Sequence, residues 1–280
     1  MGNKHINLLY PQWQGGGDRV IYSGAMELKA LYLNSLPLEE IPVSEDEAQV
    51  LQHGIFGYET IVKQMSSVCG LLHREKPDTL FVVGGGCDVS APAISYLNAR
   101  HNGQLTVLWL DAHGDLNTPE SSPSGLFHGM PLRLLLGEGD QRLLELLDSS
   151  LNADQVVLAG VRDLDEPERQ YVDQYDINLL AVKDLCHPQA VLDKLQEKGN
   201  KHVYIHIDLD VLEPSAFDQV PFPVVAGLEP DTLTRLLQQL CCAFTVAGLS
   251  VVEYAGGSSR HYAVLEEIVR LGTGLNAIVE

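Results

Sequence analysis

Asp111, His113 and Asp115 alternate along one stretch of chain, and Asp208 and Asp210 alternate along another. Residues two apart point the same way in extended backbone, so each set shares a face if its segment stays extended. Carboxylates gathered beside an apolar sheet repel one another and lose hydration, which makes their ionised forms costly. Divalent cations offset that cost. Asp111, Asp115, Asp208 and Asp210 carry the charge to match two divalent ions, with carboxylates available to bridge them. Oxygen ligands together with an imidazole favour manganese or a similar first-row ion. A lone Asp at a strand end is ordinarily a turn or helix cap. The coincidence of Asp-x-His-x-Asp with a second Asp-x-Asp makes the metal reading the stronger one.

Such residues need a scaffold that brings them together. Short runs rich in Val, Leu and Ile predict strands at 5–9, 80–83, 105–110, 156–159, 177–182, 203–207 and 249–252, buried on both faces. Amphipathic patterns predict helices at 47–74, 91–101, 131–136, 141–147, 167–175, 188–198, 230–243 and 262–271. Pro131, Pro167, Pro188 and Pro230 suit first helical turns. Strand–helix alternation predicts an α/β fold with a parallel sheet covered on both faces, and residues 1–280 read as one domain. Ligands of such sheets bind beyond the carboxyl ends of the strands. Four predicted strands run into polar residues there: Gly84-Gly85-Gly86-Cys87-Asp88, Asp111 to Asp115, Asp208-Leu209-Asp210, and Glu253. These ends can converge on one crevice.

The balance of 18 Lys+Arg against 38 Asp+Glu gives a net charge of −20 over 280 residues. That argues against nucleic acid, whose phosphates need a basic patch, and against an anionic membrane surface. An apolar share of 45% excludes a disordered chain. Cys69, Cys87, Cys186, Cys241 and Cys242 show no zinc-knuckle or CxxC spacing, so reduced thiols in a cytoplasmic protein are expected. The apolar run at 6–10 is too short for a signal peptide. The uncharged run at 236–252 carries Gln238, Gln239 and Thr245 and does not read as a membrane span.

The chemistry-bearing residues resemble the ureohydrolase family, which holds arginases, agmatinases and their relatives. The match comprises Asp111-Ala112-His113-Gly114-Asp115, His128-Gly129, Asp208-Leu209-Asp210-Val211-Leu212-Glu213-Pro214 and Glu253, from Leu80 onward; the stretch before it matches poorly. The resemblance implies a three-layer α/β/α fold with a mainly parallel sheet of about eight strands. It also implies a binuclear manganese centre and hydrolysis of a guanidino C–N bond by a metal-bridging hydroxide, releasing urea. By position, Asp111 and Asp208 match bridging carboxylates, His113 and Asp210 match ligands of one ion, and Asp115 matches a ligand of the other. His128 matches a mobile proton shuttle, Asp115 a first proton donor to the leaving amine, and Glu253 the carboxylate that pairs with the substrate guanidinium.

Asn117, Ser124 and Asp165, with Glu168 nearby, resemble the arginase residues that meet the amino-acid end of the substrate. Leu126 and Phe222 depart from that pattern, standing where arginases place an Asn for the α-carboxylate and a Thr near the guanidinium. Cys87 stands where the family motif ends in a His ligand. Three readings are open: Cys87 ligates as thiolate, Asp88 substitutes as an oxygen ligand, or the first metal site is weak or empty. His206 stands where the family often has Ser and reads as a supporting or core residue.

The expected function is therefore arginase-like hydrolysis of arginine or a related guanidino compound. The alternatives are an agmatinase-, guanidinobutyrase- or formimidoylglutamate-hydrolase-like enzyme, or a weak or inactive relative. A small guanidino substrate, no nucleic acid, no membrane and a homo-oligomer (a trimer or hexamer by resemblance) complete the expectation.

Overall fold

The computed structural model describes residues 3–45, 50–257 and 262–275. Eight parallel strands form one sheet: β1 (His5–Tyr10), β2 (Glu39–Glu40), β3 (Thr79–Gly84), β4 (Leu105–Leu110), β5 (Val156–Ala159), β6 (Asn178–Leu180), β7 (His202–Asp208) and β8 (Thr245–Val252). Their spatial order is β2-β1-β3-β8-β7-β4-β5-β6. The strands that feed the acidic segments, β3, β8, β7 and β4, are therefore consecutive neighbours at the centre.

Alternation along the strands divides the core into two layers. Leu80, Val82, Val107, Trp109 and Tyr204 face the helices Tyr58–Glu75, Ala91–Arg100, Pro131–Leu135 and Glu166–Tyr175. Phe81, Val83, Leu108, Leu110, Ile205 and Ile207 face Val20–Leu28, Pro188–Glu197, Pro230–Ala243 and Ala263–Thr273. Both faces are covered, which gives the three-layer α/β/α arrangement. Among the described residues, no helix is long and apolar enough to cross a membrane.

The strands at 105–110 and 156–159 and the helix at 230–243 fall where the sequence puts them. The strand expected at 177–182 is limited to Asn178–Leu180. The helix expected at 47–74 starts only at Tyr58. Of its expected start, residues 47–49 lie outside the described residues, and Leu51–Gln52 pairs with Ile55–Phe56 as a short antiparallel hairpin. His53, Gly54 and Gly57 all have positive φ, which a helix cannot accommodate.

The helix Val20–Leu28, which runs into a π-helical turn at Lys29–Leu33, was not expected. It has no side-chain N-cap, and Gly24 interrupts it as a helix breaker would. Gly24 has a packing reason: an added Cβ would overlap the Tyr254 carbonyl.

Gly85 has a similar role beside the acidic cluster. Gly85 N donates to Tyr10 O at 3.2 Å, Gly86 N donates to Gln12 O at 3.1 Å, and an added Cβ at Gly85 would overlap the Gln12 carbonyl. Because the obstacle is backbone, Gly85→Ala is expected to cost about 1–3 kcal/mol, as overpacking does. The urea-unfolding midpoint checks this; an unchanged midpoint would show that the loop after β1 moves aside freely.

Candidate metal centre

The expected convergence is realised, by a different local geometry from simple extension. Asp111 follows β4 and accepts His113 N at Oδ1, 2.6 Å. Asp208 ends β7 and accepts Asp210 N at Oδ1, 2.7 Å. Each leading aspartate thus closes a tight turn on the N–H two residues ahead. The chain does not remain extended: Leu209–Val211 is a 3-10 turn, and Asp115 has φ 53°. The shared orientation comes from these turns.

The donor atoms fall into three overlapping groups, and within each group they lie within 4.8 Å of one another. One holds Cys87, Asp111, Asp115 and His206; another Asp111, His113 and Asp210; the third Cys87, Asp208 and Glu253. Asp111 and Cys87 are shared between groups. Asp111, Asp115, Asp208, Asp210, Cys87 and Glu253 are all buried, and His113 is partly exposed.

The electrostatics describe a site short of positive charge. Burial first, then the neighbouring carboxylates, pushes the Asp111, Asp115 and Asp208 carboxyls above the ordinary aspartate range. Burial and the Asp208, Asp115 and Asp111 charges likewise hold the Cys87 thiol well above its ordinary value. That thiol donates to Asp208 Oδ2 at 2.9 Å. Burial alone would lower His113, but the Asp111 and Asp210 carboxylates raise it to about 12, with Nδ1 lying 2.8 Å from Asp210 Oδ2. Among the described residues, the buried Asp115 Oδ2, His206 Nε2 and Glu253 Oε2 have no hydrogen-bond partner.

Orphaned buried acceptors and strained charge are what a bound cation would relieve. The donor set, carboxylate oxygens with imidazole nitrogen, fits divalent ions. Arg162 braces the cluster from outside, donating to Asp210 O at 2.9 Å and to Val224 O at 2.7 Å.

Glu253, directly after β8, sits in left-handed backbone with φ 58°. Such a conformation costs a non-glycine residue energy and is held here by Glu253 N donating to Gly85 O at 2.8 Å. Glu253 Oε1 lies 3.0 Å from His128 Nδ1. His128 follows Leu126 in a 3-10 turn, and its backbone N–H donates to Gly15 O at 3.1 Å. The segment before the second strand, which matches the sequence motifs poorly, thereby forms part of the wall.

A cavity of about 230 Å³ opens onto these groups. Its lining includes His113, Asp115, His128, Glu253 and, further out, Asn117, Ser124 and Asp165. Asn117 is buried and donates to Asp165 Oδ2 at 2.9 Å. Asp165 caps the helix Glu166–Tyr175, and its N–H donates to Glu168 Oε2 at 2.8 Å. Ser124 is exposed at the rim. Leu126 and Phe222 present apolar walls, with the Phe222 ring 5.2 Å from that of His128.

Asp88 belongs to none of the three donor groups. Gln12 Nε2 donates to its Oδ2, and burial pushes its carboxyl up to about 7. Its Oδ1 has no hydrogen-bond partner, so Asp88 stands apart from the three groups by placement and not by saturation of its oxygens. His206, expected as a supporting or core residue, is buried with its ring beside the donor atoms of Cys87, Asp111 and Asp115. The period-two spacing of His206 and Asp208 on β7 carried that signal.

The family model described as "Arginase family" matches residues 22–260. An arginase of Staphylococcus aureus (strain MRSA252) is 32% identical over 256 residues, which cover 85% of this chain and 82% of the relative. A crystal structure of Entamoeba histolytica arginase in complex with L-ornithine superposes with a TM-score of 0.86 at 19% identity, covering 99% of both chains. A Bacillus subtilis formimidoylglutamase is more distant, with a TM-score of 0.69 at 18% identity, covering all of this chain and 87% of the other. The extent of the family match and the length over which the S. aureus relative aligns establish that the chain belongs to the arginase family.

Proposed function

We propose that this protein is a metal-dependent hydrolase that cleaves a guanidino C–N bond of arginine or a closely related compound and releases urea. The observation that carries the reading is Glu253: a buried carboxylate with one unpartnered oxygen, beside the donor groups and on the wall of a small cavity. A guanidinium is a planar cation with donors spaced for a carboxylate.

Asp111, His113, Asp115, Asp208 and Asp210 would hold two divalent ions, for which manganese fits the oxygen-and-imidazole set. Such ions supply water of lowered pKa and neutralise charge that builds at the reacting carbon. Glu253 binds the guanidinium and fixes its plane. His128, held by Glu253 at Nδ1 and lining the cavity, passes a proton toward the leaving amine, and Asp115 is the nearer donor. Asn117, Ser124 and Asp165 meet the far end of the substrate. The five unpaired thiols fit a reducing compartment such as the cytoplasm.

One observation favours a second reading, hydrolysis of a guanidine without a carboxylate, as in agmatine. The cavity lining contains neither Lys nor Arg, and Leu126 offers an approaching carboxylate no hydrogen bond. Urea release from a panel of guanidino compounds, with and without added manganese, tests both. Urea from arginine supports the first reading; urea only from decarboxylated guanidines supports the second. No urea from any manganese-loaded sample would end the hydrolase proposal. Under the first reading, Leu126→Asn is expected to lower KM for arginine about tenfold, the worth of one hydrogen bond to a charged group. An unchanged KM would place the carboxylate elsewhere.

A further inference from the structure

We propose that His206 is itself a metal ligand, supplying through Nε2 the imidazole nitrogen of the donor group it shares with Cys87, Asp111 and Asp115. The inference rests on the metal-centre reading above and deepens it.

His206 lies on the central strand β7, two residues before Asp208 and on the same face. The side chain is fully buried, yet only one of its two nitrogens is accounted for. Nδ1 lies 2.9 Å from Ser90 Oγ and 3.1 Å from Ser250 Oγ. Ser90 Oγ donates to Ser250 Oγ at 2.9 Å, which leaves a Ser90 lone pair to accept from Nδ1–H. In that tautomer Nε2 carries a free electron pair. Among the described residues Nε2 has no hydrogen-bond partner, although it is sealed from water. A buried polar atom without a partner is rare, and a ring nitrogen of His206 lies within 4.8 Å of the donor atoms of Asp111, Asp115 and Cys87; with Nδ1 taken up by the two serines, Nε2 is the nitrogen left to face them.

The ring is also locked. It stacks on Trp109 with ring centroids 3.5 Å apart and 14° between planes. Trp109 Nε1 in turn donates to Asp111 Oδ2 at 3.1 Å. One indole therefore orients both the imidazole and the carboxylate of the group. Metal-bound histidines are characteristically fixed at the other ring nitrogen by such a hydrogen bond, the role that Ser90 and Ser250 fill. Cys87, whose thiol is occupied with Asp208 Oδ2, then has no need to ligate.

The test is metal content and metal spectroscopy. Wild-type protein loaded with Mn(II) and dialysed is expected to retain two equivalents, and His206→Ser to retain one. Cys87 belongs to the same donor group as His206, so the double variant Cys87→His/His206→Ser is expected to regain the second equivalent. A merely structural role for His206 would not be rescued that way. Two equivalents in His206→Ser, bound as tightly as in wild type, would overturn the inference while leaving the metal centre standing. No metal in the wild type would instead overturn the metal-centre reading itself. Should His206→Ser fail to fold, pulsed EPR of Mn(II)-loaded His113→Asn decides, because that variant leaves residue 206 untouched. Imidazole nitrogen coupling is then expected from His206, and its absence would sink the proposal.

Discussion

Stripping divalent ions with a chelator at neutral pH is expected to lower the unfolding temperature by about 15 °C. Each ion present at about a thousand times its dissociation constant stabilises the folded state by about 4 kcal/mol. Two such ions give about 8 kcal/mol, at about 2 °C per kcal/mol for a chain of this size. The pH dependence has a definite sign. Asp111, Asp115 and Asp208 have folded-state pKa values raised above the ordinary 3.8, chiefly by burial. The stripped protein therefore keeps their full stability only below that ordinary value and loses it as pH rises through the raised values. Bound cations hold the same carboxylates ionised, so the gap between loaded and stripped protein is expected to narrow as pH falls from neutral toward 5.

Asp208→Asn should separate the two states further. With ions bound, the variant loses a ligand and melts lower than wild type. In stripped protein it removes one of several like charges and melts higher. Thermal melts followed by circular dichroism check both signs. Identical midpoints with and without chelator would contradict the idea that these acids depend on a cation.

Glu253→Gln is expected to lower kcat/KM by about 10²–10³-fold, because an amide cannot match the charge of a guanidinium in a buried site. The change keeps the size of the side chain and the strained backbone of residue 253, so lost charge is what the measurement reports. A second effect follows from His128. Burial alone would lower its pKa, but the Glu253 carboxylate 3.0 Å away raises it. Without that charge, the His128 limb of the pH–rate profile should move to lower pH. Steady-state urea release across pH measures both effects; an unchanged kcat/KM would remove Glu253 from the substrate contacts.

The central strands were legible because they are short, apolar and buried on both faces, and each ends in a polar residue. That pattern located β4 and β5 to the residue and identified the four ends that converge. The hairpin before the helix at 58–75 was missed because the apolar spacing of that stretch was carried through Gly54 and Gly57, whose positive φ, with that of His53, ends the helical pattern there. Val20–Leu28 escaped for the opposite reason: Gly24 looks like a breaker until the carbonyl it accommodates is known. At the site, residue types identified the acids but could not show that Asp111 and Asp208 close turns. His206 read as a supporting or core residue because its strand is core, and its spare nitrogen is visible only in the structure. Asp88 lies beside Cys87 in sequence, yet Gln12 holds it outside the donor groups.

The order of the strands has a consequence for how the protein is made. β8 comes from the last part of the chain but lies between β3 and β7, at the middle of the sheet. A ribosome that has completed everything up to residue 244 holds a chain whose sheet lacks its central member and whose cluster lacks Glu253. Its first half cannot close against its second, and the gap leaves strand edges open to wrong partners. Completion of the cluster is therefore tied to the insertion of β8, and before that step the five residues that would hold ions lack both their central strand and Glu253.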